Sequence, residues 1–298
     1  MSWYQPSSPP AVGYWGPITS TLLWCESKYA FSPYIAEPVN TFTNLFFVSL
    51  SLYGFHTTRS QCLPLRYSIC HLGVALVGVG SALFHGTLKH EMQLLDELPM
   101  IYTSAIMTYC LTETSKGYAN PRFPLLLPAA LVALTGWITA VYLWNGNPLF
   151  HQVAYAAMQI LSTARVIYLL RSSKSQLNTT TLAKERKEEI TNLYIFGTLI
   201  FLLGFAVWNI DNIFCYNLHQ ARNKLGYPWA LLLEGHGWWH ILTGWGAYCT
   251  ITAGTQLAVG EKEHPRNFKQ VGRWLPRLVR LRPYTTPSRV GAGRNKAN

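Results

Sequence analysis

Seven predominantly apolar runs, most of them close to twenty residues long, follow one another along the chain. They cover residues 35–54, 67–86, 95–111, 123–144, 151–170, 192–210 and 229–253. At about 1.5 Å of rise per residue, a helix of that length crosses the roughly 30 Å hydrocarbon core of a bilayer. A helix also satisfies its own backbone groups, which lipid cannot do. The expected fold is therefore an all-α membrane protein, a seven-transmembrane helix bundle. The third run is short, and the fifth is weakened by Gln159 and Arg165. Composition agrees: hydrophobic residues make up 49% and charged residues 12%, against about 25% charged in a soluble domain.

The net charge of +11 does not indicate nucleic acid, because the basic residues form no continuous footprint. They lie in short gaps between apolar runs and in the C-terminal tail. Counting spans puts Lys28, Lys89, Arg222 and Lys224 on one side, and Arg59, Arg66, Lys116, Arg122, Arg171, the 171–190 loop and the tail on the other. The positive-inside rule then sets the N-terminus in the lumen or outside and the C-terminus in the cytoplasm. The expected division is a lumenal segment 1–34, a catalytic bundle 35–256, and a basic tail 257–298 that is disordered beyond about Arg282. The first 30 residues lack a basic stretch followed by an apolar one, so no cleaved signal peptide is expected. The six cysteines contain no CxxC pair, which argues against a cysteine-built zinc site.

Ionisable residues within spans are costly and mark candidate sites. Ser81 and His85 lie four apart at the end of the second run, in GSALFHGTLKH. Asp96 and Glu97 open the third, in MQLLDELPMIY. His236 and His240 lie four apart near the start of the seventh, in LLEGHGWWHILTG. Glu37, Asn40 and Asn44 share one face of the first. Alternating span direction brings His85, Asp96, His236 and His240 to one level of the bilayer. Three neutral imidazoles suit a catalytic zinc whose fourth position is left to water, and zinc lowers the pKa of such a water to about 7. Asp96 is placed to take its proton. Ser81 is placed to donate a hydrogen bond to a substrate carbonyl as charge develops there. Each residue also has a plainer reading. Paired histidines form interhelical hydrogen bonds, Asp96 suits an N-cap with Pro99 in the first turn, and Ser81 in GVGSA suits close helix packing.

The blocks GYWGPITSTLLWCESKY, YIAEPVNTFTN, GSALFHGTLKHEMQLLDELPMIY, WNIDNIFC and GHGWWHILTG resemble, in order, the signature blocks of the alkaline ceramidases, from about Gly13 to Gly246. The resemblance implies a seven-helix fold related to the adiponectin-receptor-like hydrolases. It implies hydrolysis of the ceramide amide to a sphingoid base and a fatty acid, in the endoplasmic reticulum or Golgi membrane. It assigns His85, His236 and His240 to zinc, Asp96 to the general base or water-orienting carboxylate, and Ser81 to the water or the substrate oxygen. The preferred substrate is left open among ceramide, phytoceramide and dihydroceramide. The expected partner is membrane lipid, with no nucleic acid and no obligate protein.

The family also carries a calcium site in the block around Trp24 and at the first-span Glu, where its pattern reads approximately D-W-C-E-E-N. This chain keeps Trp24, Glu26 and Glu37 but has Leu23 at the Asp position and Lys28 at the Asn position. Calcium takes six to eight oxygens, so losing a carboxylate and gaining an ammonium predict weakened or absent Ca2+ binding, with Lys28 pairing to Glu26 or Glu37. Cys25 and Cys215 both fall in expected lumenal segments, which permit disulfides. They are expected to pair, the alternative being two free thiols. Competing readings are a receptor of this architecture with a structural metal, a proton or ion pathway through the intramembrane His and Asp, and haem ligation by the His pair.

Overall fold

The shape of the molecule follows from which helices can face lipid and which cannot. The computed structural model describes residues 12–283. Its helices are α1 (Pro38–Arg59), α2 (Leu65–Thr87), α3 (His90–Thr112), α4 (Leu126–Asn145), α5 (Pro148–Arg171), α6 (Thr181–Ile213), α7 (Cys215–Leu225) and α8 (Gly235–Lys262). A hairpin of β1 (Phe268–Val271) and β2 (Arg277–Arg280) follows. Four stretches are long and apolar enough to cross a membrane: Leu65–Thr87, Leu126–Asn145, Pro148–Asn178 and Thr181–Ile213. The outer faces of α4, α5 and α6 expose large apolar side chains such as Val132, Trp137, Leu161 and Leu199. A contiguous apolar exterior on this scale marks a membrane protein.

The other long helices, α1, α3 and α8, fall short in hydropathy because they carry buried polar groups. These are Glu37 at the start of α1 with Asn40 and Asn44, Gln93 and Glu97 on α3, and His236, His240, Gln256 and Lys262 on α8. The bundle shields them from lipid. Central helix α8 packs most extensively on α6 and then on α1. Further contacts run from α1 to α2, from α2 to α3 and from α3 to α5, with α4 outermost. Gly197 and Gly246 make the α6–α8 crossing possible, since a Cβ on Gly246 would lie 2.7 Å from the Gly197 carbonyl oxygen.

Helix ends differ from the sequence expectation in three places. α3 begins at His90, so Asp96 lies well inside the helix and is not its N-cap, and Pro99 sits in its interior. A proline there cannot donate to the carbonyl four residues back, which is that of Leu95. Gly80 of α2 comes against that carbonyl so closely that a Cβ would lie 2.2 Å from its oxygen. Thus α2 and α3 come into close backbone contact beside Ser81 and Asp96. α6 starts at Thr181, inside the loop expected over 171–190, where the Thr180 hydroxyl accepts from Ala183 N–H and caps the helix.

At the C-terminal end, α8 continues to Lys262, and the segment expected outside the bundle folds against it. Phe268 and Leu278 are buried, and Tyr248 donates to the Pro276 carbonyl at 2.7 Å. Glu263 accepts from both Arg280 Nη atoms, at 2.6 and 2.8 Å. The expectation of disorder beyond Arg282 falls mostly on residues outside those described.

Residues 12–37 contain no helix. They are held by Trp24 and Ala36 packing against Phe84 and Leu88, and by a disulfide between Cys25 and Cys215, whose Cα atoms are 5.5 Å apart.

Two expectations follow. Gly80→Ala overpacks the α2–α3 contact at a cost of about 1–3 kcal/mol, read as a lower apparent Tm of the detergent-purified protein. Cutting a cross-link between residues 190 apart in sequence costs about 2–5 kcal/mol. Reductant is therefore expected to lower the Tm of the wild type but not that of Cys25→Ser/Cys215→Ser.

Candidate metal centre

The site forms where one end of each of α1, α2 and α8 meets the first half of α3. Its position along α8 is set by Asp211, near the end of α6. The Asp211 carboxylate accepts from the backbone N–H of Gly235 at 3.0 Å. Gly235 is close enough that a Cβ would lie 2.8 Å from the Asp211 Cβ. Arg222 on α7 pairs with Asp211 at 3.4 Å and with Glu234 at 3.1 Å. This cap fixes the first turn of α8, and His236 with it.

His85, His236 and His240 are all buried, and one ring nitrogen from each falls within 4.8 Å of the others. Ring centroids are 4.9 Å apart for His85 with His236 and for His85 with His240, and 4.7 Å for His236 with His240. Hydrogen bonds orient two of the three rings. His85 Nδ1 lies 2.5 Å from Glu37 Oε2. An ionised carboxylate only accepts, so Nδ1 carries the proton and Nε2 presents a lone pair. His240 Nδ1 lies 2.9 Å from Thr43 Oγ1, whose own proton is engaged by the Val39 carbonyl at 2.8 Å. Thr43 therefore accepts from Nδ1–H, and His240 Nε2 is left bare.

His236 stacks on Trp24, centroids 4.4 Å apart. The buried nitrogens His85 Nε2 and His236 Nδ1 have no hydrogen-bond partner among the described residues. A buried unpaired nitrogen costs about 1–3 kcal/mol, so convergent bare nitrogens are the preparation expected for a bound cation. The donor set fits zinc, and the carboxylate behind His85 is the kind of outer partner that orients a metal-ligating imidazole. Cys25, Cys215 and His219 also lie together, but the two sulfurs are bonded to each other.

Ser81 is buried. It accepts from Asn44 Nδ2 at 3.1 Å and lies 3.5 Å from His240 Nε2. It also hydrogen-bonds to Asp96. With Asp96 ionised, the single Ser81 proton points at that carboxylate. Adjacent Glu97 faces the other way, accepting from Tyr142 and from Gln93 Nε2.

At the N-terminal segment, Glu26 caps α1 from outside it, its two carboxylate oxygens accepting from Val39 and Asn40 N–H at 2.7 and 2.8 Å. Burial and the nearby Glu37 charge push Glu26 up to about 8, against those two donors. Lys28 is ion-paired with Glu37 and donates to the Trp24 and Glu26 carbonyls at 2.6 and 2.8 Å.

Sequence reasoning named the three histidines, Ser81 and Asp96, and the fold brings them together. It did not single out Thr43, Asp211 or Arg222, and it placed Glu37 toward calcium without seeing its bond to His85. The signal for Thr43 was its position, one residue before Asn44 on a helix already read as polar.

A family model described as Ceramidase matches residues 16–283. The chain is 41% identical over 245 residues to alkaline ceramidase 3 of Mus musculus, covering 81% of this chain and 86% of that one. It is 35% identical over 288 residues to alkaline ceramidase YPC1 of Saccharomyces cerevisiae, covering 93% and 88%. With the alkaline ceramidase of Arabidopsis thaliana it shares 31% over 241 residues, covering 80% and 84%. By a family match that runs through the bundle, the metal centre and the C-terminal hairpin, the chain belongs to the ceramidase family.

Proposed function

We propose that this protein is a zinc-dependent intramembrane amidase that hydrolyses the N-acyl bond of ceramides, releasing a sphingoid base and a fatty acid. The observation that carries the reading is the meeting of three imidazoles, two of them held by Glu37 and Thr43 with Nε2 bare, beside a hydroxyl and a carboxylate. His85, His236 and His240 would hold the ion. When bound, zinc supplies Lewis acidity and lowers the pKa of a water in its open position to about 7.

The chain's own residues supply the rest. Asp96 takes the proton as the water oxygen adds to the amide carbon. It then returns that proton to the nitrogen as the C–N bond breaks, so fatty acid and amine leave in balance. Ser81 aims Asp96 through its hydrogen bond, and Asn44 holds Ser81 by donating to its oxygen. Once Asp96 is protonated, the Ser81 proton is free to turn toward the substrate oxygen. An apolar groove of about 300 Å³ between α3 and α4, lined by Tyr102, Ile106, Leu131 and Val132 among others, begins about 9 Å along α3 from Asp96.

The reading includes seven spans, with α1, α3 and α8 crossing the bilayer under cover of the apolar helices. It places the N-terminus in the lumen, the C-terminus in the cytoplasm and the protein in the endoplasmic reticulum or Golgi membrane. Ceramide, phytoceramide and dihydroceramide are all candidate substrates.

Metal analysis and fatty-acid release on these three lipids test the proposal. Near-stoichiometric zinc is expected in the wild type, and both zinc and hydrolysis are expected to collapse in His236→Ala. Asp96→Asn is expected to keep zinc and lose about 10²–10⁴-fold in kcat. An active, folded wild type without zinc would overturn the mechanism, and full zinc with no hydrolysis of any of the three would favour a receptor. Thr43→Val keeps the side-chain shape but removes the acceptor behind His240, and is expected to weaken zinc about 10–100-fold, measured by competition with a chromogenic chelator.

A further inference from the structure

The Lys28 ammonium lies at a point where loop, helix and metal centre meet. Its three N–H donors have three oxygens to serve: the Trp24 carbonyl at 2.6 Å, the Glu26 carbonyl at 2.8 Å, and Glu37 Oε1 by ion pair. Glu37 has no exposure to solvent and Lys28 only 14%. The other oxygen of Glu37 is the acceptor of His85 Nδ1 at 2.5 Å and also accepts from Asn40 Nδ2 at 3.1 Å. One carboxylate thus spans a cation on one side and a metal-ligating ring on the other. Glu26, Asp211 and Glu234 are buried in the same region, with Lys28 and Arg222 as its paired cations.

A calcium ion does not fit these residues. It needs six to eight oxygens at about 2.3–2.6 Å. The oxygens here number three around a nitrogen that already fills the point where they converge, and the Leu23 side chain offers none.

We propose that Lys28 is a built-in cation. Its ammonium clamps the 24–28 loop to Glu37, as a divalent ion would, and keeps Glu37 oriented so that His85 presents Nε2 to the metal. Lys28 is a positioning residue: it acts on the centre through Glu37 and touches none of the reacting atoms. The second half of this proposal rests on the three-histidine zinc reading, whereas the first half stands without it.

The experiment uses the full chain purified in detergent, with two readouts that do not depend on turnover. In the first, wild type is expected to show no sensitised Tb3+ luminescence through Trp24 and no change in apparent Tm between Ca2+ and EGTA. Leu23→Asp/Lys28→Asn is expected to gain saturable Tb3+ luminescence and a Ca2+-dependent rise in Tm. Saturable Tb3+ luminescence or a calcium-dependent Tm in the wild type would overturn the built-in cation.

In the second readout, zinc retention against a chelator is expected to fall about 10–100-fold in Lys28→Asn, the usual effect of losing an outer-shell partner. In Leu23→Asp/Lys28→Asn it is expected to return when Ca2+ is added, a rescue that a merely structural lysine would not give. Wild-type zinc retention in Lys28→Asn would refute the positioning role. A wild type that holds no zinc would refute the metal reading, and with it the positioning role, while the Tb3+ and Tm arms would still decide the built-in cation.

Discussion

Glu37 is the carboxylate on which the arrangement turns. It is wholly buried at the start of α1, where an unpaired charge would cost several kcal/mol. Both of its oxygens are therefore committed, one to Lys28 and the other to His85 and Asn40. A residue at the N-cap position would ordinarily turn its side chain back onto the helix. Here Glu26 does that work from the preceding loop, accepting from Val39 and Asn40 N–H. The substitution frees Glu37 to face inward. The same loop carries Trp24 onto His236 and Cys25 into the disulfide, so the segment before the first helix is part of the wall of the centre.

The second constraint is steric. Polar groups on α2 and α3 can meet only if the helices approach closely, and the approach is set at one point by what two residues lack. Pro99 lacks the N–H that would engage the Leu95 carbonyl, and Gly80 lacks the Cβ that would collide with it. Ser81 follows Gly80 and Asp96 follows Leu95, so this close backbone contact between the two helices delivers the hydroxyl to the carboxylate. On the α8 side of the same site, Asp211 packs against Gly235 and accepts from its N–H, holding the start of α8.

The parts of this design that repeat at helical spacing were legible in the sequence. His236 and His240 at i, i+4, His85 one turn after Ser81, and the polar face of Glu37, Asn40 and Asn44 all declare themselves against an apolar background. What was not legible depends on partners distant in sequence. Thr43 reads as an ordinary helical threonine until His240 is placed 2.9 Å from it. The start of α3 was hidden because residues 90–94 are polar enough to read as loop, yet Gln93 is buried between Thr21 and Glu97. The C-terminal hairpin reads as a basic tail because Arg280 shows only its charge, and its partner Glu263 lies on the far side of a turn. Hydropathy has the same limit. Three of the long helices average too polar because that measure cannot separate an outer apolar face from the buried face that carries the candidate site.

This separation bears on how so polar a site can sit inside an apolar bundle. The site's buried polar groups pair across helices: imidazole with carboxylate, imidazole with hydroxyl, amide with hydroxyl, ammonium with carbonyl. Among the buried atoms left without a hydrogen-bond partner are His85 Nε2 and His236 Nδ1, on two of the three rings that converge. A bare nitrogen on a buried ring carries an unanswered desolvation cost, which an ion bound among the three rings would reduce. Polar chemistry and an apolar surround are then compatible because desolvation strengthens every fixed bond around the centre. The same desolvation makes the loss of any one partner expensive. Lys28, at the edge of this network and with its three donors engaged, closes it on the solvent side, so that the charge of Glu37 is answered before His85 is ever asked to hold a metal.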